Sequence, residues 1–285
     1  MPELPEVETI RADLESSIAG KKVTSVQIKY NGVIKQPRPT TFRRSLIGAR
    51  FLAFERYGKF LIVRLDNEQA LIFHLRMTGQ LVHEPEDTVL TPHTHVVFRL
   101  NDGSRLRFTD IRKFGTIMLL PGEKVYEHPS LRNLGVDALS EALTLNYLAR
   151  KVASSRQPLK QFLMDQQHLA GIGNIYASEI LFHARLHPAI PACALDGGEI
   201  RRLRSAIRHI LRLAIRRRGT TIRDYRTGAG SHGTYQNEFR VYNRQGQPCR
   251  RCGTPIVRIA QAGRSTFFCP GCQSAPGGDT SNSYS

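Results

Sequence analysis

CRRCGTPIVRIAQAGRSTFFCPGC, residues 249–272, holds four of the five cysteines in a chain of 285 residues. Two C-x2-C pairs, Cys249/Cys252 and Cys269/Cys272, stand sixteen residues apart. That spacing fits one tetrahedral Zn²⁺ held by four thiolates. Four protein ligands leave no open position for a substrate, so the metal is expected to be structural. Between the pairs, Ile256–Ile259 and Ser265–Phe268 read as two strands, with Gly263–Arg264 near the tip of a hairpin. Such a hairpin has too little core to fold without its metal. Ribbons of this kind serve as DNA-contacting, protein-binding or purely structural modules, and the spacing does not choose among them. The fifth cysteine, Cys193, reads as a passive small residue.

Working back from the ribbon, LMDQQHLAGIGNIYASEI (163–180) reads as two helices joined at glycines. Gly171 and Gly173 would let backbone N–H groups approach an anion, next to a helix N-terminus that favours negative charge. An ordinary tight interhelical turn uses glycine in the same way. Asn174 is placed to cap the second helix, over Ile175–Ala184. Further helices are expected near Leu145–Ala153 and Pro158–Asp165. The clearest runs over Gly197–Arg218, where Ile200, Leu203, Ile207, Ile210, Leu211 and Ala214 form one apolar stripe. Asp196 with Glu199 gives it a capping box, and Gly219 closes it. The Gly-, Thr-, Ser- and Tyr-rich stretch Thr220–Glu238 reads as a mobile loop.

The N-terminal half follows another rhythm. Pro5 suits a first helical turn, and Val7, Ile10 and Leu14 keep helical spacing up to a stop at Gly20. From Val23 to about Leu120 the pattern becomes β, with an Asn101–Asp102–Gly103 turn joining two strands. The expected fold class is α+β with two domains: an N-terminal helix plus β-sandwich, then a helical domain with a helix–two-turn–helix and a C-terminal zinc ribbon. The expected segments are 1–133, 134–238, 239–273 for the ribbon, and a disordered tail at 274–285.

Lysine and arginine number 41 against 24 acidic residues, a net charge of +17. Such a surplus points to a polyanionic partner, since each neutralised phosphate releases condensed counterions. No apolar run approaches the ~20 residues that span a bilayer, so no membrane partner is expected. The start, MPELPEVET, has no apolar core of a signal peptide, and a cytoplasmic protein that visits the nucleoid is expected.

Four motifs occur together in order: PELPEVET at the start, Gly58–Lys59 between apolar strands, LMDQ…GIGNIYASE, and the ribbon ending GRSTFFCPGC. With them the chain resembles the formamidopyrimidine-DNA glycosylase family, which also contains endonuclease VIII, over nearly its whole length. The resemblance implies a bifunctional DNA glycosylase and abasic-site lyase of base excision repair. It implies that Met1 is removed and that the amine of Pro2 is the nucleophile. It makes Glu3 the general acid/base, Lys59 the lysine of β-elimination and Arg264 the arginine of δ-elimination. Met77, Arg112 and Phe114 match the residues that fill the gap left by the flipped nucleotide. His93, Arg156, Lys160 and Asn174 match phosphate contacts. The implied partner is damaged double-stranded DNA, bound by a monomer in a basic cleft between the domains.

Two departures stand out. Ile111 occupies a position where the family often has proline, and GAGSHGTYQ, residues 228–236, matches no family signature closely. The implied substrates are oxidised purines, 8-oxoguanine and formamidopyrimidines. PELPEV and the Met77/Arg112/Phe114 set argue against the endonuclease VIII branch, which prefers oxidised pyrimidines. A non-catalytic zinc-ribbon DNA-binding protein is the rival of a different class. Binding alone needs neither a free proline start nor the glutamate after it.

Overall fold

The structure is a computed structural model and describes residues 2–222 and 224–274. The polar tail expected at 274–285 lies, beyond Ser274, outside the described residues. The chain divides into two compact units, Met1–Asn133 with Ala214–Gln236, and Leu134–Leu213 with Asn237–Ser285.

In the first unit, α1 (Leu4–Ile18) starts with Pro5 in its first turn. Its carboxylate Glu6 reaches back to the Glu3 amide at 2.8 Å, which satisfies a donor the helix itself cannot use. Val7, Ile10, Leu14 and Ile18 are buried along one face. Gly20, at φ +81°, turns the chain out of the helix. The strands and short helices that follow are β1 (Val23–Ile28), β2 (Ile34–Gln36), α2 (Pro39–Leu46), β3 (Phe51–Tyr57), β4 (Phe60–Leu65), β5 (Gln69–His74), β6 (Gly79–Pro85), β7 (Thr94–Leu100), β8 (Ser104–Asp110), β9 (Thr116–Pro121) and α3 (Pro129–Arg132).

They form a four-stranded sheet, β1-β7-β8-β6, and a five-stranded sheet, β2-β9-β5-β4-β3. Every pairing is antiparallel except β2 with β9. One core joins their inner faces, with Val96, Phe98, Leu106 and Phe108 from one sheet and Leu61, Val63, Leu71, Phe73, Ile117 and Leu119 from the other. These residues alternate along their strands, the period-2 pattern of a sandwich. Helix α1 packs on β3, β4 and β6.

The segment Thr220–Glu238, assigned from sequence to the helical domain, joins this first unit as far as Gln236. Hydrogen bonds put it there: the Thr220 amide donates to Glu6 Oε1 at 2.7 Å, and the His83 amide donates to the Gly228 carbonyl at 2.8 Å.

The second unit contains β10 (Val136–Asp137), α4 (Leu145–Ala153), α5 (Leu159–Met164), β11 (Leu169–Ala170), α6 (Asn174–Ala184), most of α7 (Gly197–Arg216), β12 (Val257–Gln261) and β13 (Arg264–Phe268). The turn between α5 and α6 uses Gly171 at φ +112°. Gln166 braces it, accepting from the Gly171 amide at 2.9 Å and donating to the carbonyls of Met164 and Ile172 at 2.7 and 2.8 Å. The N-cap of α6 is Gly173, not Asn174. The Asn174 side-chain amide donates instead to the Ser265 carbonyl on β13 at 3.2 Å, so a tertiary bond replaces the local cap. The capping box of α7 forms as read, with reciprocal bonds between Asp196 and Glu199 at 2.7 and 3.0 Å. Strands β12 and β13 pair in register around an Ala262–Gly263 turn. The ribbon's small core joins Ile256, Phe267, Cys249 and Cys269 to Phe182 of α6 and Val241.

Phe98 is fully buried, with its ring 6.3 Å from Phe42 and 6.2 Å from Phe73. Phe98→Ala removes the ring that joins the two sheets and should cost about 3–5 kcal/mol, read as a lower urea midpoint for the first unit.

Candidate active site and metal centre

Pro2 and Glu3 are both buried at the mouth of α1, with Glu3 only 2% exposed. Glu6 lies between this start and the returning segment. One carboxylate oxygen takes the Glu3 amide and the other takes the Thr220 amide. Tyr225 adds a hydroxyl bond to the Arg218 carbonyl at 3.1 Å, and Arg218 pairs with Asp13 at 2.7 Å. Sequence reasoning assigned Glu6 no role. Its signal is the capping-box spacing from Glu3 to Glu6.

Lys59 sits in the two-residue turn between β3 and β4 and is 7% exposed. Arg56 connects that turn to α1: its Nε donates to Glu8 at 2.9 Å and its Nη1 donates to the Gly58 carbonyl at 3.1 Å. The second turn of α1 and the hairpin tip therefore lie at one end of the sheet. His74 pairs with Phe60 across β4 and β5, and its ring meets the Phe60 ring edge-on at 4.5 Å. Burial, with the charges of Arg76 and Lys59, holds the His74 imidazole down at about 3, so it is neutral at physiological pH. Its Nδ1 accepts from the Arg76 amide at 3.1 Å.

Met77, Arg112 and Phe114 are exposed, and the Arg112 guanidinium lies 4.7 Å from the centre of the Phe114 ring. Met77 and Phe114 are therefore not core residues; they project from two adjacent turns. Asp110, fully buried, organises both. It accepts from the Thr78 hydroxyl, from the Arg112 amide at 3.2 Å and from the Gly115 amide at 2.6 Å. The Thr78 hydroxyl also accepts from the Arg112 amide at 3.1 Å. His93, exposed, is tied to the same place through its carbonyl, which accepts from the Asp110 amide at 3.0 Å. Asp110 was missed from sequence, although an aspartate two residues before the amide it binds is an Asx-turn signal.

In the second unit, Asn174 and Arg264 line one groove of about 560 Å³ with Tyr242, Asn243, Gln245, Arg258, Ser265 and Phe267. Arg264 is exposed at the ribbon's hairpin, and Arg156 is exposed between α4 and α5. Lys160 departs from the expected phosphate contact. It is 2% exposed, and its ammonium donates to the Ser265 carbonyl and the Thr266 hydroxyl, both at 2.8 Å. Buried ammonium groups need such partners, and these bonds fix β13 under the groove. Glu179 does the same for the groove's other wall. Fully enclosed, it accepts from the amides of Arg240, Val241 and Tyr242 at 2.8–3.2 Å. Burial pushes its carboxyl up, against the pull of those amides.

The four cysteine sulfurs lie within 4.8 Å of one another. Individual separations are 3.9 Å for Cys249–Cys272 and 3.4 Å for Cys252–Cys269 and Cys252–Cys272. Four sulfurs at ~2.3 Å from a tetrahedral zinc lie about 3.8 Å apart, so the set fits one Zn²⁺. Cys249, Cys252, Cys269 and Cys272 would hold it with no open position, so the zinc would be structural and would crosslink the two ends of the hairpin that presents Arg264.

Between pH 6.5 and about 3 the unfolded chain carries a proton on His74 that the folded chain refuses, so stability falls as pH falls across that window. His74→Gln should flatten this acid limb, read as a smaller difference between urea midpoints at about pH 7 and about pH 4.5. Metal analysis should find one zinc per chain, and Cys252→Ser should abolish it and release the ribbon. Near-native amide protection should survive in the strands β1 to β9.

Comparison with known proteins agrees with the fold and with the four-cysteine set. The family model of the formamidopyrimidine-DNA glycosylase N-terminal domain matches residues 1–117, and that of the formamidopyrimidine-DNA glycosylase H2TH domain matches residues 134–226. The model of the zinc finger found in FPG and IleRS matches residues 246–275. The formamidopyrimidine-DNA glycosylase of Moorella thermoacetica is 47% identical over 91% of this chain and 94% of its own. That of Desulforamulus reducens is 42% identical over 96% of this chain and all of its own length. Two solved structures of the Lactococcus lactis enzyme superpose over 96% of this chain and all of theirs. One is a point mutant with DNA containing Fapy-dG, at TM-score 0.91 and 35% identity, and the other holds DNA with an abasic site, at 0.90 and 34%. The chain belongs to the formamidopyrimidine-DNA glycosylase family.

Proposed function

We propose that this chain is a bifunctional DNA glycosylase and abasic-site lyase that removes oxidised purines, 8-oxoguanine and formamidopyrimidines, in base excision repair. The observation that carries the reading is the buried Pro2–Glu3 start, held by Glu6 in a family whose solved members bind DNA with Fapy-dG or an abasic site. Damaged double-stranded DNA is the partner, and a monomer acting in the cytoplasm at the nucleoid suffices. No helix among the described residues is long and apolar enough to cross a membrane.

With Met1 removed, Pro2 carries a free secondary amine. An unperturbed α-amino group titrates near ~8, and burial at a positive helix end favours its neutral form. The amine attacks C1′ of the damaged nucleotide and forms a C–N bond while the glycosidic bond breaks. The base leaves with a proton. Glu3 delivers a proton to the ring oxygen as the sugar opens, which leaves an iminium between Pro2 and C1′. That cation takes up the electrons released when a C2′ proton is removed, and the 3′ phosphate departs. A second elimination expels the 5′ phosphate. Lys59, at the hairpin tip, assists the first elimination and Arg264 the second.

Met77, Arg112 and Phe114 fill the stack vacated by the flipped nucleotide, with Arg112 facing the orphaned base. His93, Arg156 and Asn174 hold phosphates. Lys160 serves the same grip from beneath, by fixing the strand that carries Arg264.

Borohydride should trap the iminium as a covalent protein–DNA adduct, and peptide mapping should place it on Pro2 with Met1 absent. A non-removable N-terminal extension should abolish trapping and leave duplex binding largely intact. Glu3→Gln should suppress base excision yet keep some cleavage at a preformed abasic site, where the glycosidic bond is already broken. An adduct on Lys59, or full activity with a blocked N-terminus, would overturn the mechanism.

A further inference from the structure

Helix α7 carries six arginines against a single glutamate, and these charges are not used by the chemistry above. Its apolar side is buried, with Leu203, Ala206, Ile207, Ile210 and Leu211 in the interior. At 3.6 residues per turn, Arg201, Arg202, Ser205, His209 and Arg212 fall within about 100° of one another on the other side. All five are exposed. Arg202 meets Glu199 only at 3.7 Å, and among the described residues no ion pair involves Arg201 or Arg212. By contrast, Arg208, at the edge of this face, is paired with Glu141 at 3.2 Å, and Arg204 is bound to the Leu143 carbonyl at 2.6 Å.

This face lies away from the groove that carries Arg264. Asn174, the first residue of α6, lines the groove. The far end of α6 touches α7: the His183 ring stacks on His209 at 4.5 Å, and Arg202 donates to the Ala184 carbonyl at 3.4 Å. Eleven helical residues separate the two places by about 16 Å.

We propose that the exposed face of α7, centred on Arg201, Arg202 and Arg212, binds the phosphates of a second DNA duplex while the first occupies the repair site. The inference rests on the proposed function only for DNA as the polyanion at hand. The face spans about 16 Å, enough for several phosphates along a strand. Guanidinium groups suit phosphate oxygens because they donate two parallel hydrogen bonds. An anionic membrane fits less well. Amphipathic helices that lie on bilayers insert their apolar side, and that side of α7 is already buried.

The test saturates the full-length protein with an unlabelled duplex carrying a tetrahydrofuran abasic-site analogue. A labelled, undamaged duplex is then added and followed by fluorescence anisotropy. The second duplex should bind. In R201E/R212E its affinity should drop at least ~10-fold, and the log–log salt slope should fall by about 2. Affinity for the first duplex and single-turnover excision should stay within about twofold of wild type. Absence of second-duplex binding by wild type overturns the proposal, as does an unchanged second affinity in the variant. Equal weakening toward both duplexes would assign the face to the first duplex's interface and overturn it too. Phosphatidylglycerol vesicles bound more tightly than the second duplex, and lost in the variant, would make it a membrane face. If the first duplex fails to bind while the labelled one still depends on Arg201 and Arg212, the proposed repair function falls and this surface stands.

Discussion

One buried carboxylate sets the start of the chain. Glu6 divides its two oxygens between the Glu3 amide and the Thr220 amide. The first bond finishes the N-terminus of α1 and the second fastens a segment more than two hundred residues away in sequence. Loss of either would leave a buried charge short of a partner, which costs more than an ordinary hydrogen bond contributes. The Pro2 amine, the proposed nucleophile, is useful only if held still, and the capping-box bond to the very next residue holds the start of the chain.

The same device recurs at two other places. Asp110 collects the Thr78 hydroxyl and the Arg112 and Gly115 amides, which shapes the turns that expose Met77, Arg112 and Phe114. Glu179 collects three successive amides that lead to Tyr242 on the groove wall. In each case a buried acid meets backbone donors, and the exposed residues nearby carry the proposed contacts with DNA. Irregular backbone needs partners for its N–H groups, and an interior carboxylate supplies several at once. Lys160 is the cationic counterpart: it donates to acceptors on β13, the strand that begins at Arg264.

Much was legible in the sequence because it was local. The four-cysteine spacing, the apolar stripe of α7, the Asp196–Glu199 capping box and the alternation in the N-terminal strands each depend on residues a few positions apart. The family motifs carried the rest of the candidate site, since Pro2, Glu3 and Lys59 have no distinctive pattern on their own. A local pattern misplaced one side chain. Asn174 has the composition of a cap, but its amide found the Ser265 carbonyl, ninety-one residues on. For Lys160 the resemblance implied a phosphate contact, whereas its ammonium is enclosed.

By itself, then, the sequence determined the order of elements and the metal set, because periodicity and spacing are properties of the chain, while the proposed nucleophile came from the family resemblance. Only the tertiary structure decided which polar groups face solvent and which serve as internal braces. It placed 214–236 with the N-terminal unit, turned Lys160 inward and gave Glu6, Asp110 and Glu179 their roles. The physical reason is desolvation. A buried charge must find its partners wherever the fold brings them, and the partners that complete each set, Thr220 for Glu6, Thr78 for Asp110 and Arg240 to Tyr242 for Glu179, lie too far along the chain for a local pattern to announce.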